Sequence, residues 1–296
     1  SVYFNKFGHY DSVGAYQSES SPYASWYRFE HFPDKYEAWW GIQSLPCVNE
    51  MDPGYLDYMV TGPRAIVAKW LRAGASGWRL DVADELPDAF IRLLRQRVKS
   101  EKPDAAIIGE VWEDATTKIS YGQHRTYALG HGLDSVMNYP LRDALIAFLL
   151  GQGDSLDLMR TLRAQQEHYP LPMYYALMNL MGTHDRSRIL NILGQCDDQS
   201  LTRQQQRQVR MTEQQRMLGK KRLVRMLQIL CALPGMPSVY YGDEAGMEGM
   251  RDPLCRGYYP WGNQDAALME AFQRELSLRR TQPIRTDGFV SFFCPD

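Results

Sequence analysis

Three short stretches of this 296-residue chain hold ionisable residues at spacings that could do chemistry. Arg79 and Asp81 sit two apart in the strand-like run 77–81, so their side chains leave it on the same side. A guanidinium beside a carboxylate keeps that carboxylate ionised, as a nucleophile must be. Glu110 ends a second strand-like run, with Trp112 two residues on, and His184 and Asp185 follow a third. In a parallel barrel the C-terminal strand ends converge on one face, where active sites are built. Three carboxylates with an arginine and a histidine on that face would suit cleavage of a glycosidic bond. One carboxylate attacks the sugar, one protonates the leaving oxygen, and further negative charge supports an oxocarbenium-like transition state. Taken singly, each residue also has an ordinary structural reading. A strand-end Asp often caps a helix, an Arg–Asp pair often braces the scaffold, and a lone His is usually a satisfied polar residue. The ordered set is what points to chemistry.

The elements that must position these residues alternate. Strand-like runs centre near residues 77, 106, 134, 178 and 239, the last over 238–241. Helical patterns cover 55–73, 88–100, 141–150, 156–166, 202–218, 221–233 and 266–280. Strand–helix alternation predicts parallel βαβ units. The two polar helices at 156–166 and 202–218 read as surface insertions. Residues 1–50 differ: thirteen of the first forty are aromatic, against 12% overall, and no period is visible. This stretch reads as an irregular lobe whose rings form a small core, with a few left to line a cleft where they could stack on sugar faces.

Composition narrows the classes. Hydrophobic residues at 44% and charged residues at 23% are ordinary for a soluble globular chain. A net charge of −2 gives no electrostatic reason to expect nucleic acid or an anionic membrane as partner. No apolar stretch approaches a membrane span. The five cysteines are scattered, with no CxxC spacing and no zinc-like cluster, so free thiols and a cytoplasmic location are expected, with no metal ligand set. The start at Ser1-Val2-Tyr3-Phe4 shows no signal-peptide pattern, and both ends read as cut from something longer.

Three segments carry a family resemblance: Gly77-Trp78-Arg79-Leu80-Asp81-Val82-Ala83, Gly109-Glu110-Val111-Trp112 and Gly182-Thr183-His184-Asp185-Arg186-Ser187-Arg188. In this order they resemble conserved segments of the α-amylase superfamily of glycoside hydrolases. The likeness is greatest to its neopullulanase, cyclomaltodextrinase and maltogenic amylase group. Ser44-Leu45-Pro46-Cys47-Val48-Asn49 is similar to a segment near the end of that family's inserted B domain. Pro237-Ser238-Val239-Tyr240-Tyr241-Gly242-Asp243-Glu244 resembles its last barrel strand and loop, and Asp252-Pro253 with Arg256 a sugar-contacting loop. The resemblance implies an α/β fold of the (β/α)8 TIM-barrel type, represented by its later five strands. Residues 1–50 would be part of the B domain, 51–282 the C-terminal part of the barrel, and 283–296 the start of a C-terminal β domain.

The resemblance makes Asp81 the nucleophile, Glu110 the general acid/base and Asp185 the transition-state stabiliser. Arg79, expected to be buried against Asp81, and His184 become orienting neighbours. Trp112 becomes a wall of the leaving-group side, and Asp252 and Arg256 contacts to sugars toward the non-reducing end. The implied activity is retaining hydrolysis of α-1,4-glucosidic bonds in maltooligosaccharides, cyclodextrins, pullulan or starch. Its balance against transglycosylation stays open. The alternative is a non-catalytic α-glucan-binding protein on the same scaffold, although such proteins usually lose the carboxylates kept here. Thr183 stands where many amylases carry Asn. Asp84-Glu85 stand where many have a Lys-His pair that helps bind calcium, which argues against calcium there. The family's Asp…Asn-His segment and first three strands would precede Ser1. The chain by itself is therefore expected to be weakly active or inactive, and the full-length protein is a candidate homodimer.

Overall fold

The computed structural model describes residues 1–197, 199–282 and 284, in two compact units. The first comprises Ser1–Ile107 with His131–Leu133, and the second Ile108–Gly130 with the residues from 134 onward. Of 283–296 only Ile284 is described, so the expected β-domain start lies outside the described residues.

In the first unit, residues 1–50 are mostly irregular apart from an antiparallel pair, β1 (Phe29–His31) and β2 (Lys35–Tyr36). The aromatic residues make the core of this lobe. Phe4, Trp26, Tyr27 and Tyr36 are buried, and the Phe4 ring lies 4.8 Å from those of Tyr27 and Tyr36. The single helix expected over 55–73 is interrupted. Helix α1 (Pro53–Leu56) starts under the Asp52 side chain, which accepts from the Tyr55 N–H at 2.9 Å. After a further turn, Gly62 is extended ahead of Pro63, and the chain restarts as α2 (Ile66–Arg72). Proline disfavours helical backbone in the residue before it, so the break belongs at Gly62. Strand β3 (Gly77–Leu80) ends at Asp81, and α3 (Asp88–Glu101) buries Phe90, Ile91, Leu94 and Val98, one stripe at helical spacing.

Strand β4 (Ala106–Gly109) begins in the first unit and ends in the second. A small hairpin, β5 (Ile119–Ser120) with β6 (Gln123–His124), follows it. Strand β7 (Ser135–Val136) pairs with β4 in parallel, Gly109 opposite Val136. Helices α4 (Tyr139–Leu150), α5 (Ser155–His168) and α6 (Leu171–Tyr174) lead to β8 (Met178–Leu180), joined to the β7 edge by a parallel Met137–Met178 bridge. Then come α7 (Ile189–Leu193), α8 (Arg203–Gln206), α9 (Glu213–Ala232), β9 (Met236–Ser238) and α10 (Ala266–Thr281). Strand β9 is parallel to β8, with Met178 opposite Met236. It lies slightly earlier than the expected 238–241, and the chain is already turning at Tyr241–Gly242. The C-terminal ends of β4, β7, β8 and β9 therefore share one edge.

The two helices expected at 202–218 and 221–233 are cut differently: a short α8, then one 20-residue α9. A capping box at Thr212, with Gln215 reciprocating, sets the α9 start. Gly219 is inside the helix because a Cβ there would come within 2.8 Å of the Leu190 carbonyl oxygen on α7. That close crossing helps build a core with Leu190, Leu223, Leu227, Leu230 and Phe272. Among the described residues no helix is long and apolar enough to cross a membrane.

A buried amide network ties the strand ends to the helices. The Asn138 side chain caps α4 by accepting from the Leu141 N–H, exchanges hydrogen bonds with Gln165 of α5, and donates to Asn179 of β8 at 2.8 Å. Asn179 in turn donates to the Pro234 carbonyl at 2.7 Å. Asn179→Ala removes two of these bonds and orphans groups with no route to water. It is expected to cost about 1–3 kcal/mol, read as a lower urea midpoint at unchanged slope.

Candidate functional site

In the first unit, Asp81 leaves the end of β3 and its Oδ1 accepts from Arg79 Nη1. The pair forms as the spacing predicts, but not as a buried pair: the Asp81 side chain is 77% exposed and that of Arg79 30%. The reason is local. The chain turns away immediately after Asp81, with Val82 at φ 41°, and the carboxylate is carried out on the bend. Left-handed backbone at a β-branched residue is strained, by about 1–3 kcal/mol. Beside Asp81 is a cavity of about 660 Å³ walled by Tyr3, Trp26, Trp39, Tyr55 and Tyr58. The aromatic lobe thus supplies both a core and a ring-lined hollow. The Tyr3 and Tyr58 hydroxyls share a hydrogen bond of 2.5 Å, which with burial pushes Tyr3 up to about 12. Trp40, largely exposed, donates its Nε1–H to Glu85 at 3.0 Å.

In the second unit, Glu110 follows β4 and is buried, 5% exposed. Tyr139, the first residue of α4, lies close by. Its ring stacks on Trp112 with centroids 4.0 Å apart and planes 11° from parallel. Burial pushes its phenol up to about 12, with the negative charges of Glu110 and Asp185 adding to the effect. The Tyr139 hydroxyl is 3.4 Å from Thr183 Oγ1, which also accepts from the Asp185 N–H. Asp185 is clamped from two sides: Oδ2 is 3.2 Å from His184 Nε2, and Oδ1 accepts from Arg256 Nη2 at 3.3 Å. Arg256 also donates to the His184 carbonyl and pairs with Asp252 at 2.7 Å. The buried Cys255 thiol donates to the same His184 carbonyl, and burial raises its pKa. Six of the sequence-nominated residues, Glu110, Trp112, His184, Asp185, Asp252 and Arg256, thus belong to this unit. Arg79 and Asp81 are paired in the first.

Four residues of the frame escape the sequence reading. Arg188, three past Asp185, is fully buried against the rings of Tyr240 and Tyr241, at 4.3 and 4.7 Å from their centroids. It donates to the Tyr241 carbonyl and to Asp243 Oδ1, the latter at 3.1 Å. Asp243 is also fully buried and lies flat on Gly182, where any Cβ would collide with its Oδ2. The 182–188 segment is thereby pinned between the ends of β8 and β9. Arg142 of α4 donates to the Met181 carbonyl at 2.7 Å, and Tyr139 completes the set. The signal for the buried pair was an arginine and an aspartate at two neighbouring strand ends, which only the β8–β9 pairing joins. Among the described residues no group of three or more His, Cys, Asp or Glu is arranged to hold a metal ion. Cys47, Cys196, Cys231 and Cys255 are unpaired thiols, and Cys294 lies outside the described residues.

Carboxylates at the C-terminal ends of parallel strands are a layout common to barrel enzymes, and the chain belongs to the α-amylase family. That family's catalytic domain matches residues 23–286. The chain is 35% identical to an amylopullulanase of Thermoanaerobacter thermohydrosulfuricus over 97% of its own length and 20% of the relative's. It is 31% identical to neopullulanase 2 of Thermoactinomyces vulgaris over 93% of itself and 42% of that protein. Among solved structures, the ligand-free cyclic α-maltosyl-(1→6)-maltose hydrolase of Arthrobacter globiformis superposes with a TM-score of 0.77 at 26% identity. That match covers 95% of this chain and 58% of the other. The chain thus spans between a fifth and three fifths of the length of these relatives. The α-amylase-type barrel fold expected from the motifs is borne out.

The Arg188–Asp243 pair yields a stability prediction. Arg188→Met leaves a buried carboxylate without its cation and is expected to cost about 3–5 kcal/mol. Burial also raises Asp243 from 3.8 to about 7 against the opposing pull of Arg188. Between those values the folded state holds a proton that the unfolded chain releases, so this group's contribution is full below 3.8 and declines as pH rises to about 7. Asp243→Asn should remove that part of the slope. Urea midpoints measured from pH 4 to 8 on both proteins check it.

Proposed function

We propose that this chain carries the catalytic machinery for retaining hydrolysis of α-1,4-glucosidic bonds in maltooligosaccharides, cyclodextrins, pullulan or starch. The observation that supports it most is the clamp on Asp185. A carboxylate held by His184 and Arg256, with Glu110 and Tyr139 nearby at the same strand edge, is fixed in place before any sugar arrives. In this reading Asp81 attacks the anomeric carbon, and Arg79 sets which oxygen is free to do so. Glu110, withdrawn from bulk water, gives its proton to the leaving oxygen and later takes one from the incoming water. Asp185 holds sugar hydroxyls as the ring flattens, and His184 steadies both Asp185 and the cleaved sugar. Trp112 walls the leaving-group side, while Asp252 and Arg256 meet sugars toward the non-reducing end. The names amylopullulanase, neopullulanase and cyclic α-maltosyl-(1→6)-maltose hydrolase of the relatives support the substrate class.

The test is an assay on maltohexaose, β-cyclodextrin, pullulan and starch, run on the chain and on the full coding product that contains it. Asp81→Asn and Glu110→Gln are each expected to lower turnover by at least about 10³-fold. Asp81 is largely exposed, so its variant should unfold within about 0.5 kcal/mol of wild type. Fresh product should be the α anomer by NMR. A β-anomer product, or an Asp81→Asn protein at near wild-type rate, defeats the reading.

A further inference from the structure

The aromatic stack beside Glu110 has three members. Tyr139 lies fully buried under Trp112, parallel to it, with centroids 4.0 Å apart. On Trp112 also sits the guanidinium of Arg186, its carbon 4.6 Å from the indole centroid. Two parallel rings 4.0 Å apart leave no room for a guanidinium between them, so Arg186 must cover the opposite face. That face is the one a sugar ring would need. Trp112 is only partly buried, and with Tyr139 behind it no other broad apolar surface of the indole remains to be offered.

Arg186 is weakly held there. Its side chain is exposed, and among the described residues its one contact of note is the indole of Trp112. Its neighbours Asp185 and His184 are engaged with each other and with Arg256. The buried Arg142 repels it, a like charge within electrostatic reach. The stack is therefore a contact that can be exchanged for another planar partner at modest cost, since an exposed cation–π contact is worth about a two- to five-fold change in an equilibrium.

We propose that Arg186 is a specificity-determining residue that competes with a glucosyl ring of the leaving-group side for the free face of Trp112. The inference rests on the functional reading above, which puts Trp112 on that side. A substrate with glucosyl units beyond the cleaved bond must displace the guanidinium to stack. A substrate without them never meets it. Arg186 thus penalises long leaving groups relative to short ones without taking part in bond cleavage.

The experiment compares maltohexaose with α-maltosyl fluoride, whose leaving group is fluoride and carries no sugar. It uses wild type, Arg186→Ala, Trp112→Ala and the double variant in the full coding product. Arg186→Ala is expected to raise kcat/KM on maltohexaose about two- to five-fold, mainly through KM, and to leave the fluoride unchanged. The gain should vanish in the Trp112→Ala background, a coupling that a merely structural role would not produce. Unchanged or lower kcat/KM on maltohexaose in Arg186→Ala overturns the inference. So does an equal gain on both substrates, or a gain that persists without Trp112. A wild type that cleaves the fluoride and maltohexaose while Arg186→Ala shows no gain leaves the functional reading standing. A wild type that cleaves neither removes both.

Discussion

The buried Arg188–Asp243 pair is the constraint on which the second unit's site depends. Two charges in a core are costly to bury, and pairing them with each other offsets much of that cost. Arg188 Nη1 donates both to the Tyr241 carbonyl and to Asp243 Oδ1 with two tyrosine rings beside the guanidinium, while Arg188 Nε and Asp243 Oδ2 find no hydrogen-bond partner among the described residues, so the contact between the two side chains carries most of the compensation. Because the arginine comes from the segment after β8 and the aspartate from the turn after β9, the pair fixes the two strand ends relative to each other. Asp185 is three residues from that anchor. Its position is inherited from a packing requirement and is not set by flexible loop chemistry.

A second layer works the same way at lower cost. Asn138 spends its whole amide on other elements: a helix N–H, Gln165 and Asn179. The next residue, Tyr139, is thereby placed where its ring backs Trp112 and its hydroxyl reaches Thr183. One strand-end dipeptide thus links β7, β8, α4 and α5 to the aromatic wall. Polar residues buried at strand ends stabilise little in net terms, yet they restrict the arrangements available to the elements they join.

Much of this was legible in the sequence, for reasons that differ by element. The five strand positions follow from apolar runs bounded by turn residues. Chemistry-bearing residues stood out because they end those runs: Asp81, Glu110 and Asp185 each sit one to five residues past a strand. Helix boundaries were less legible where caps and breakers compete with apolar periodicity. Gly62-Pro63 splits one helix, and Gly219 does not end another because its neighbour α7 needs the space. The exposure of Asp81 was not legible, since the left-handed turn at Val82 has no signature in a β-branched residue. Arg188 with Asp243, and Arg186 over Trp112, join positions 55 and 74 residues apart in sequence and become visible only once strand order is known.

The Cys255 thiol has a use beyond its hydrogen bond. It is fully buried, its proton rests on the His184 carbonyl, and burial raises its pKa. An alkylating reagent in water can reach it only when the residues packed around it open. The rate at which this sulfur is modified under native conditions is therefore a clock for that opening, set one hydrogen bond away from the residue beside Asp185.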